Sequence, residues 1–186
     1  MSNYTAVRRQ LALRQAEGYL ELHLPQCALE TLARIELLPG GMKGHAAYLR
    51  GEALRALERY QEAIPPLELA SRDTTDAIAA RLALGWCYKR TGRIDLAIKE
   101  LEKALVKEPD DALIHYNLAC YQSLARDRHQ ALRHLEEAFR LDPGYRRMVD
   151  GESDFDPAAE RPGVSVAGGG DCLAVGSTRR RRHFDE

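Results

Sequence analysis

The sequence predicts an all-α solenoid of about four antiparallel helical hairpins, and three observations carry that prediction. Ala28, Ala63, Ala97 and Ala131 each stand inside an apolar helical pattern, the last three 34 residues apart. Twelve residues before each of those three is another small residue, Gly51, Gly85 and Ala119, and seven residues after each is Ala70, Ala104 and Ala138. Leu67, Leu101 and Leu135 follow the alanines by four positions. Two antiparallel helices close tightly only where the crossing side chains are small, while larger ones fill the space beside the crossing.

The elements follow in order. Helix pairs are expected near 4–23 and 25–37, 43–57 and 60–72, 76–90 and 94–107, then 111–125 and 128–141. Pro25 suits the first turn of its helix, and Asp110 is read as the N-cap of the helix that follows it. Pro109 and Pro143 fall just past helix ends, where the ring stops the helix. Pro65 and Pro66 lie about a turn and a half into a helix. An interior proline costs roughly 3 kcal/mol unless the helix bends or starts late, so a bend or a late start is expected there.

Framed alike, the units run 9–42, 44–77, 78–111 and 112–145, within a repeat array at 1–145. The first departs from the others. Ala28 precedes Ala63 by 35 residues, and the connection LLPGGMKGH carries an extra residue in a Gly-rich turn.

Composition narrows the function classes. The chain has 186 residues, 45% of them hydrophobic, enough to bury a core. Its 27 Lys+Arg nearly cancel its 28 Asp+Glu, so no whole-molecule field favours nucleic acid or an anionic membrane. Cys27, Cys87, Cys120 and Cys172 form no CxxC pair, and the first three read as reduced, mostly packed thiols. The opening MSNYTAVRRQLALRQAEGYL lacks the uninterrupted apolar core of a signal peptide, and no stretch approaches the roughly 20 apolar residues that span a bilayer. A cytoplasmic location is the resulting expectation.

The clearest unit is AIAARLALGWCYKRTGRIDLAIKELEKALVKEPD, in which Leu84, Gly85, Tyr88, Ala97, Leu101, Ala104 and Pro109 stand at matching positions. This 34-residue pattern resembles the tetratricopeptide repeat (TPR) family, as found in short bacterial arrays, over roughly residues 9–145. The resemblance implies a right-handed α-solenoid that binds protein or peptide partners, needs no cofactor or metal and is not an enzyme. The chain departs from the family where an aromatic or large residue often opens the first helix: Ala47, Arg81 and His115 occupy that place.

In such arrays the first helices of the hairpins line a concave groove. The frame points His45, Tyr48, Leu49, Glu52 and Arg55 inward from the second unit. From the third it points Leu82, Ala83, Trp86, Lys89 and Arg90, and from the fourth Leu113, Tyr116, Asn117, Cys120 and Ser123. Trp86 with Tyr48 and Tyr116 reads either as an apolar anchoring strip or as packing between neighbouring first helices. Asn117, with Lys89 and Arg90 nearby, reads as a donor set for a peptide backbone or carboxylate, or as a solvated helix end. Some TPR proteins grip the C-terminal carboxylate of a heat-shock chaperone with Lys, Asn and Arg side chains on successive first helices. The first three units here present Leu13 and Glu17, Leu49, then Ala79 and Ala83. A frame shifted by one unit presents Tyr48 and Glu52, Ala83, then Leu113 and Asn117. Neither set matches, so no such clamp is expected.

Past the fourth unit, YRRMVDGESDFDP resembles the segment that closes many bacterial TPR arrays, and 146–158 reads as a cap for the last hairpin's apolar face. Residues 159–186 are rich in Gly and small residues and read as a flexible tail ending in the basic run Arg179 to Arg182. No GxSxG, HExxH, phosphate-loop or dinucleotide motif occurs. His129 and His134 are five apart and share no helix face as i, i+4 metal ligands would. Three functions remain: an interaction scaffold, a regulatory or substrate-recruiting subunit of an enzyme complex, and an RNA-binding repeat. The last needs a basic stripe or a base-reading pair in every unit, and neither is visible.

Overall fold

The computed structural model describes residues 2–35, 40–72 and 76–149. They form four consecutive hairpins: α1 (Ser2–Glu21) with α2 (Pro25–Ala33), α3 (Gly40–Ala56) with α4 (Tyr60–Ala70), α5 (Ala77–Arg90) with α6 (Ile94–Leu105), and α7 (Ala112–Leu124) with α8 (Arg128–Leu141). A 3-10 turn, Pro143–Tyr145, and a short α9, Arg146–Val149, follow. Each of the eight hairpin helices packs against the next in sequence, as expected of a stack that buries one continuous core.

The four hairpins share one turn, hydrogen bond for hydrogen bond. His23, Glu58, Gly92 and Arg126 take left-handed backbone, with φ of 57°, 58°, 74° and 64°. Their N–H groups donate to Leu20, Arg55, Lys89 and Ser123 carbonyls, and the next residues, Leu24, Arg59, Arg93 and Asp127, donate to Tyr19, Leu54, Tyr88 and Gln122. This pair of bonds closes a helix C-terminus by satisfying its last carbonyls. Only the third turn uses glycine, and each of the others carries a side chain through the left-handed region at about 1 kcal/mol. Ala28, Ala63, Ala97 and Ala131 then donate to the carbonyls of Leu24, Arg59, Arg93 and Asp127, opening each second helix alike. Repeat one therefore shares the register of the rest, and its extra residue falls between Ala28 and Glu58.

The crossing of each hairpin explains the small residues. A Cβ added at Gly51 would stand 2.4 Å from Leu67 Cγ, and one at Gly85 would stand 2.4 Å from Leu101 Cδ1. Leu67 and Leu101 are themselves fully buried, as are Ala63, Ala70, Ala97, Ala104, Ala119 and Ala138, so little room exists for retreat. In the fourth hairpin Ala119 replaces glycine, and Leu135 is only partly buried.

Two expectations are corrected, and one of the two alternatives at Pro65 and Pro66 is excluded. The helix of Pro65 and Pro66 starts at Tyr60, so the late start does not occur, and both prolines lie inside it. Pro65 is exposed, while Ala63, Ile64, Leu67 and Ala70 bury the opposite stripe. Packing of that stripe offsets the two backbone donors that proline lacks. The N-cap of α7 is Asp111, not Asp110: its Oδ1 accepts from Leu113 N at 2.8 Å and Ile114 N at 3.2 Å. Asp110 is 83% exposed and reaches only Arg140. Finally, α2 stops at Ala33 rather than near residue 37.

Polar pairs also bind each first helix to its surroundings. Arg81 Nη1 donates to Glu100 Oε2 at 2.6 Å and Nη2 to the Ser71 carbonyl at 3.0 Å, linking α5 to α6 and to the end of α4. One repeat later, at the same two positions, His115 and His134 bring their Nδ1 atoms to 3.0 Å. His115 Nε2 lies 2.9 Å from the Pro109 carbonyl and must carry the proton there. When His115 carries only that proton, its Nδ1 accepts from the Nδ1–H of His134. His45 sits between Glu17 of α1 and Asp76 at the start of α5, 3.0 Å and 2.8 Å away, and joins three hairpins.

These histidines give stability a pH profile with opposed limbs. The hydrogen bond to Asp76 raises the His45 pKa above its ordinary 6.5, against the lowering effect of burial and with help from the charges of Asp76 and Glu17. Its contribution is fully present below 6.5 and is lost as pH rises through the elevated value. Burial lowers the pKa of His134, with the neighbouring charges of His115 and Arg133 acting the same way, so its neutral contribution is present above 6.5 and lost as pH falls. His45→Gln should therefore flatten the alkaline side of a plot of Tm against pH and leave the acid side in place. The expected change is about 1 kcal/mol or less for so partly exposed a joint. Thermal melts from pH 5 to pH 9 test this, and an unchanged alkaline limb would count against the His45 joint.

Candidate functional site

Helices α1 and α3, and likewise α3 and α5, touch one another, whereas consecutive second helices make no comparable contact among the described residues. The layer in which successive helices approach is the inside of a curved stack, and from α1 to α5 that layer, the inner wall, is made by the first helices.

On α3, Tyr48 is partly buried, and burial pushes its hydroxyl pKa well up. Glu52 and Arg55 form a two-point pair, with Nε to Oε1 and Nη2 to Oε2 both at 2.9 Å. Burial works against the Arg55 charge, but the bonds to Glu52 outweigh it and hold the pKa above its ordinary value. Within the wall these two charges answer each other.

On α5, Leu82 and Ala83 are buried and Trp86 is only 8% exposed. Lys89 lies one turn on, its Nζ 5.3 Å from the Trp86 ring centroid, and is 1% exposed. An ammonium over an indole face gains from the ring quadrupole, more when desolvated. Arg90 turns away from this group. Its guanidinium sits 5.2 Å over the ring of Tyr60 on α4, at a shallow depression beside the α3–α4 turn. Sequence spacing put Lys89 and Arg90 together; the helix sends adjacent residues to different faces.

On α7, Tyr116, Asn117 and Cys120 are all buried. Tyr116 packs its ring 4.9 Å from that of Tyr145, which the 3-10 turn brings back from the outer layer. Burial raises the Tyr145 pKa to about 12. Asn117 Oδ1 is a buried acceptor with no hydrogen-bond donor among the described residues. Cys87, on the same helix as Trp86, is pushed to about 12 by burial and is an unreactive packed thiol. Among the described residues Cys27, Cys87 and Cys120 are in no disulfide.

The expected groove residues lie on successive first helices, and Leu82, Trp86, Lys89, Tyr116, Asn117 and Cys120 among them are buried. Trp86 has the burial of a packed residue. The sequence reading missed the joints behind this wall, His45 with Glu17 and Asp76, and Arg81 with Glu100. Their signal lay in the charged and histidine residues that replace the aromatic at the start of the first helices. Cys172, Arg179 to Arg182 and everything else beyond residue 149 lie outside the described residues.

The fold and wall define a helical-repeat solenoid. Residues 54–119 match the family described as tetratricopeptide repeat. Over those residues the chain resembles the tetratricopeptide repeat, and its fold is that of a TPR solenoid. No curated protein is significantly similar to it in sequence. Its structure is similar to the crystal structure of MamA, at 23% identity and a TM-score of 0.67, covering 75% of this chain and 81% of that one. It is also similar to YrrB, described as a TPR protein with an unusual peptide-binding site, at 20% identity and a TM-score of 0.67, covering 80% of this chain and 75% of that one. No helix among the described residues is long and apolar enough to cross a membrane.

Proposed function

We propose that this chain is a protein-interaction scaffold that holds a peptide or helix of a protein partner along the inner wall formed by α3, α5 and α7. The observation that carries this reading is the Trp86–Lys89 pair, an aromatic face and a cation on one turn of the central first helix, flanked by Tyr48 on α3 and by Tyr116 and Asn117 on α7. Such a set can take apolar, anionic and backbone groups of an extended chain at once. The peptide-binding site described for YrrB lends support by analogy of fold. No cofactor takes part, and binding rather than catalysis is the activity.

Affinity capture from the native cell tests this reading. The double substitution Trp86→Phe, Lys89→Gln keeps much of the packing and removes the indole and the charge. It is expected to lower partner recovery about tenfold or more, the effect of losing an interface hot spot worth about 1–2 kcal/mol. Glu102→Gln, on the exposed side of α6, should leave recovery unchanged. Equal recovery by all three proteins, at equal helicity, would remove the inner wall from the account.

A further inference from the structure

The four shared turns fix which positions of the first helices correspond. Gly18 stands five residues before the left-handed His23, as Ala53, Cys87 and Tyr121 stand five before Glu58, Gly92 and Arg126. These three counterparts are buried where each first helix receives the hairpin before it. Ala53 shares a cluster with Leu13, Ala16, Ala28 and Leu32 of the first hairpin, and the Tyr121 ring comes within 3.2 Å of the point where a Cβ would stand on Gly85 of α5. On α1 the same position meets nothing: a Cβ added at Gly18 has no atom within 4 Å. Leu11, twelve residues before His23, is 58% exposed, whereas its counterparts on α5 and α7, Ala80 and Ile114, are fully buried.

With 3.6 residues per turn, Val7, Leu11, Gly18 and Leu22 fall within about 60° of one another along α1 and its last turn, opposite the buried Leu13 and Ala16. Arg14 and Glu21, both exposed, flank this stripe on one edge. In the free chain a glycine at 18 only weakens the helix, since alanine is the better helix former and open space would receive it. A second helix crossing at that point gives the glycine a role, because backbones approach closely only over small residues. We propose that α1 presents this stripe to α1 of a second copy of the chain, the two helices crossing antiparallel at Gly18 about a two-fold axis.

Three features fit a copy of the same chain. Like edges meet in a two-fold antiparallel pair, so Arg14 of one copy comes opposite Glu21 of the other, twice, with Gly18 four residues from one and three from the other. Leu11 of each copy reaches Leu22 and Leu24 of the other, which are 69% and 45% exposed. The far end of the stack carries a cover of its own, with Tyr145 on Tyr116 and Val149 against the main core cluster, so pairing falls to the N-terminal ends. Pairing of like ends closes at two copies. One pair of helices about 30 Å long buries less than the roughly 800 Å² per partner of a standard interface, and a micromolar dissociation constant is expected. This pairing does not rest on the inner wall being the binding surface.

Sedimentation equilibrium of the full chain, from about 1 to about 500 µM, tests the proposal, with far-UV helicity confirming that each variant folds. One copy is expected at the dilute end and two at the concentrated end. Leu11→Gln and Gly18→Leu should each raise the dissociation constant about tenfold or more, the effect of losing or blocking an interface anchor. Arg14→Glu alone and Glu21→Arg alone should each raise it several-fold, and the double exchange should restore it. Leu69→Gln, at an exposed leucine of α4, should change nothing. A single-copy mass at every concentration would overturn the proposal. So would association that Leu11→Gln and Gly18→Leu leave unmoved, because the copies would then meet elsewhere, or a double exchange that fails to restore it. Mass growing past two copies would also overturn the two-fold pair, since α1 would then stack on the far end of the next copy, where Leu132 of α8 is 61% exposed.

Discussion

Gly51→Val is expected to destabilise the array by roughly 2–3 kcal/mol, the range for overpacking a closed core. The added Cβ would stand 2.4 Å from Leu67 Cγ and 2.5 Å from Cδ2, and Leu67 is fully buried against the same crossing. Helix propensity acts in the opposite direction but returns only a few tenths of a kcal/mol for valine over glycine. The steric term wins. Gly18, in α1, has nothing within 4 Å of the corresponding point. There Gly→Ala meets no obstacle and should raise stability by about 0.5–1 kcal/mol. The two glycines thus predict opposite signs in urea melts. Leu67→Ala alone should cost about 2–5 kcal/mol. In the Gly51→Val background it should cost at least about 1 kcal/mol less, because the new methyl groups occupy the space it vacates. Strict additivity would mean that the crossing is not where the chain is tight.

Tyr116→Ala is the second large effect, at about 3–4 kcal/mol, as for other aromatic side chains removed from a full core. Its ring is 1% exposed and is packed 4.9 Å from Tyr145 at 37° between planes. Tyr145→Ala should cost less, since that ring is only partly buried. A double-mutant cycle should return a coupling of about 0.5–1.5 kcal/mol for a tilted aromatic pair. Because Tyr145 brings the chain back onto α7, loss of Tyr116 should also raise hydrogen exchange in residues 143–149. If exchange there is unchanged, α9 is held by something other than this stack.

Much of the fold was legible because one physical constraint recurs every 34 residues. Two helices must meet at small side chains, so Gly51, Gly85 and Ala119 mark one side of each crossing and Leu67, Leu101 and Leu135 the other. Four hairpins, their order and most helix ends follow from that alone. The turns between paired helices were less legible. Only Gly92 announces a left-handed residue, while His23, Glu58 and Arg126 adopt the same backbone because packing of the flanking helices imposes it. Pro65 and Pro66 show the same precedence: the buried stripe of α4 holds the helix through both rings. Asp110 and Asp111 are chemically equal as caps, and only the chain's path after Pro109 decides which one reaches the α7 donors.

The site was legible as a set of positions but not as an environment. Periodicity put Tyr48, Trp86 and Asn117 on first helices, yet it could not say how deeply each was covered, because burial depends on neighbours remote in sequence. Adjacency groups Arg90 with Lys89, whereas Tyr60 draws it to the other side of α5. Arg81 and His115 read as missing aromatics; in the fold each binds a partner nineteen residues on, Glu100 and His134. Such pairs lie at no helical spacing and become visible only when the hairpin closes.

The central claim is that partners bind the layer of first helices. Amide hydrogen exchange of the full chain, with and without its captured partner, tests that claim most directly. The account predicts that new protection falls on α3, α5 and α7 around Tyr48, Trp86 and Asn117, with α4, α6 and α8 little changed. Protection concentrated on the second helices instead, with the first helices unaltered, would contradict it.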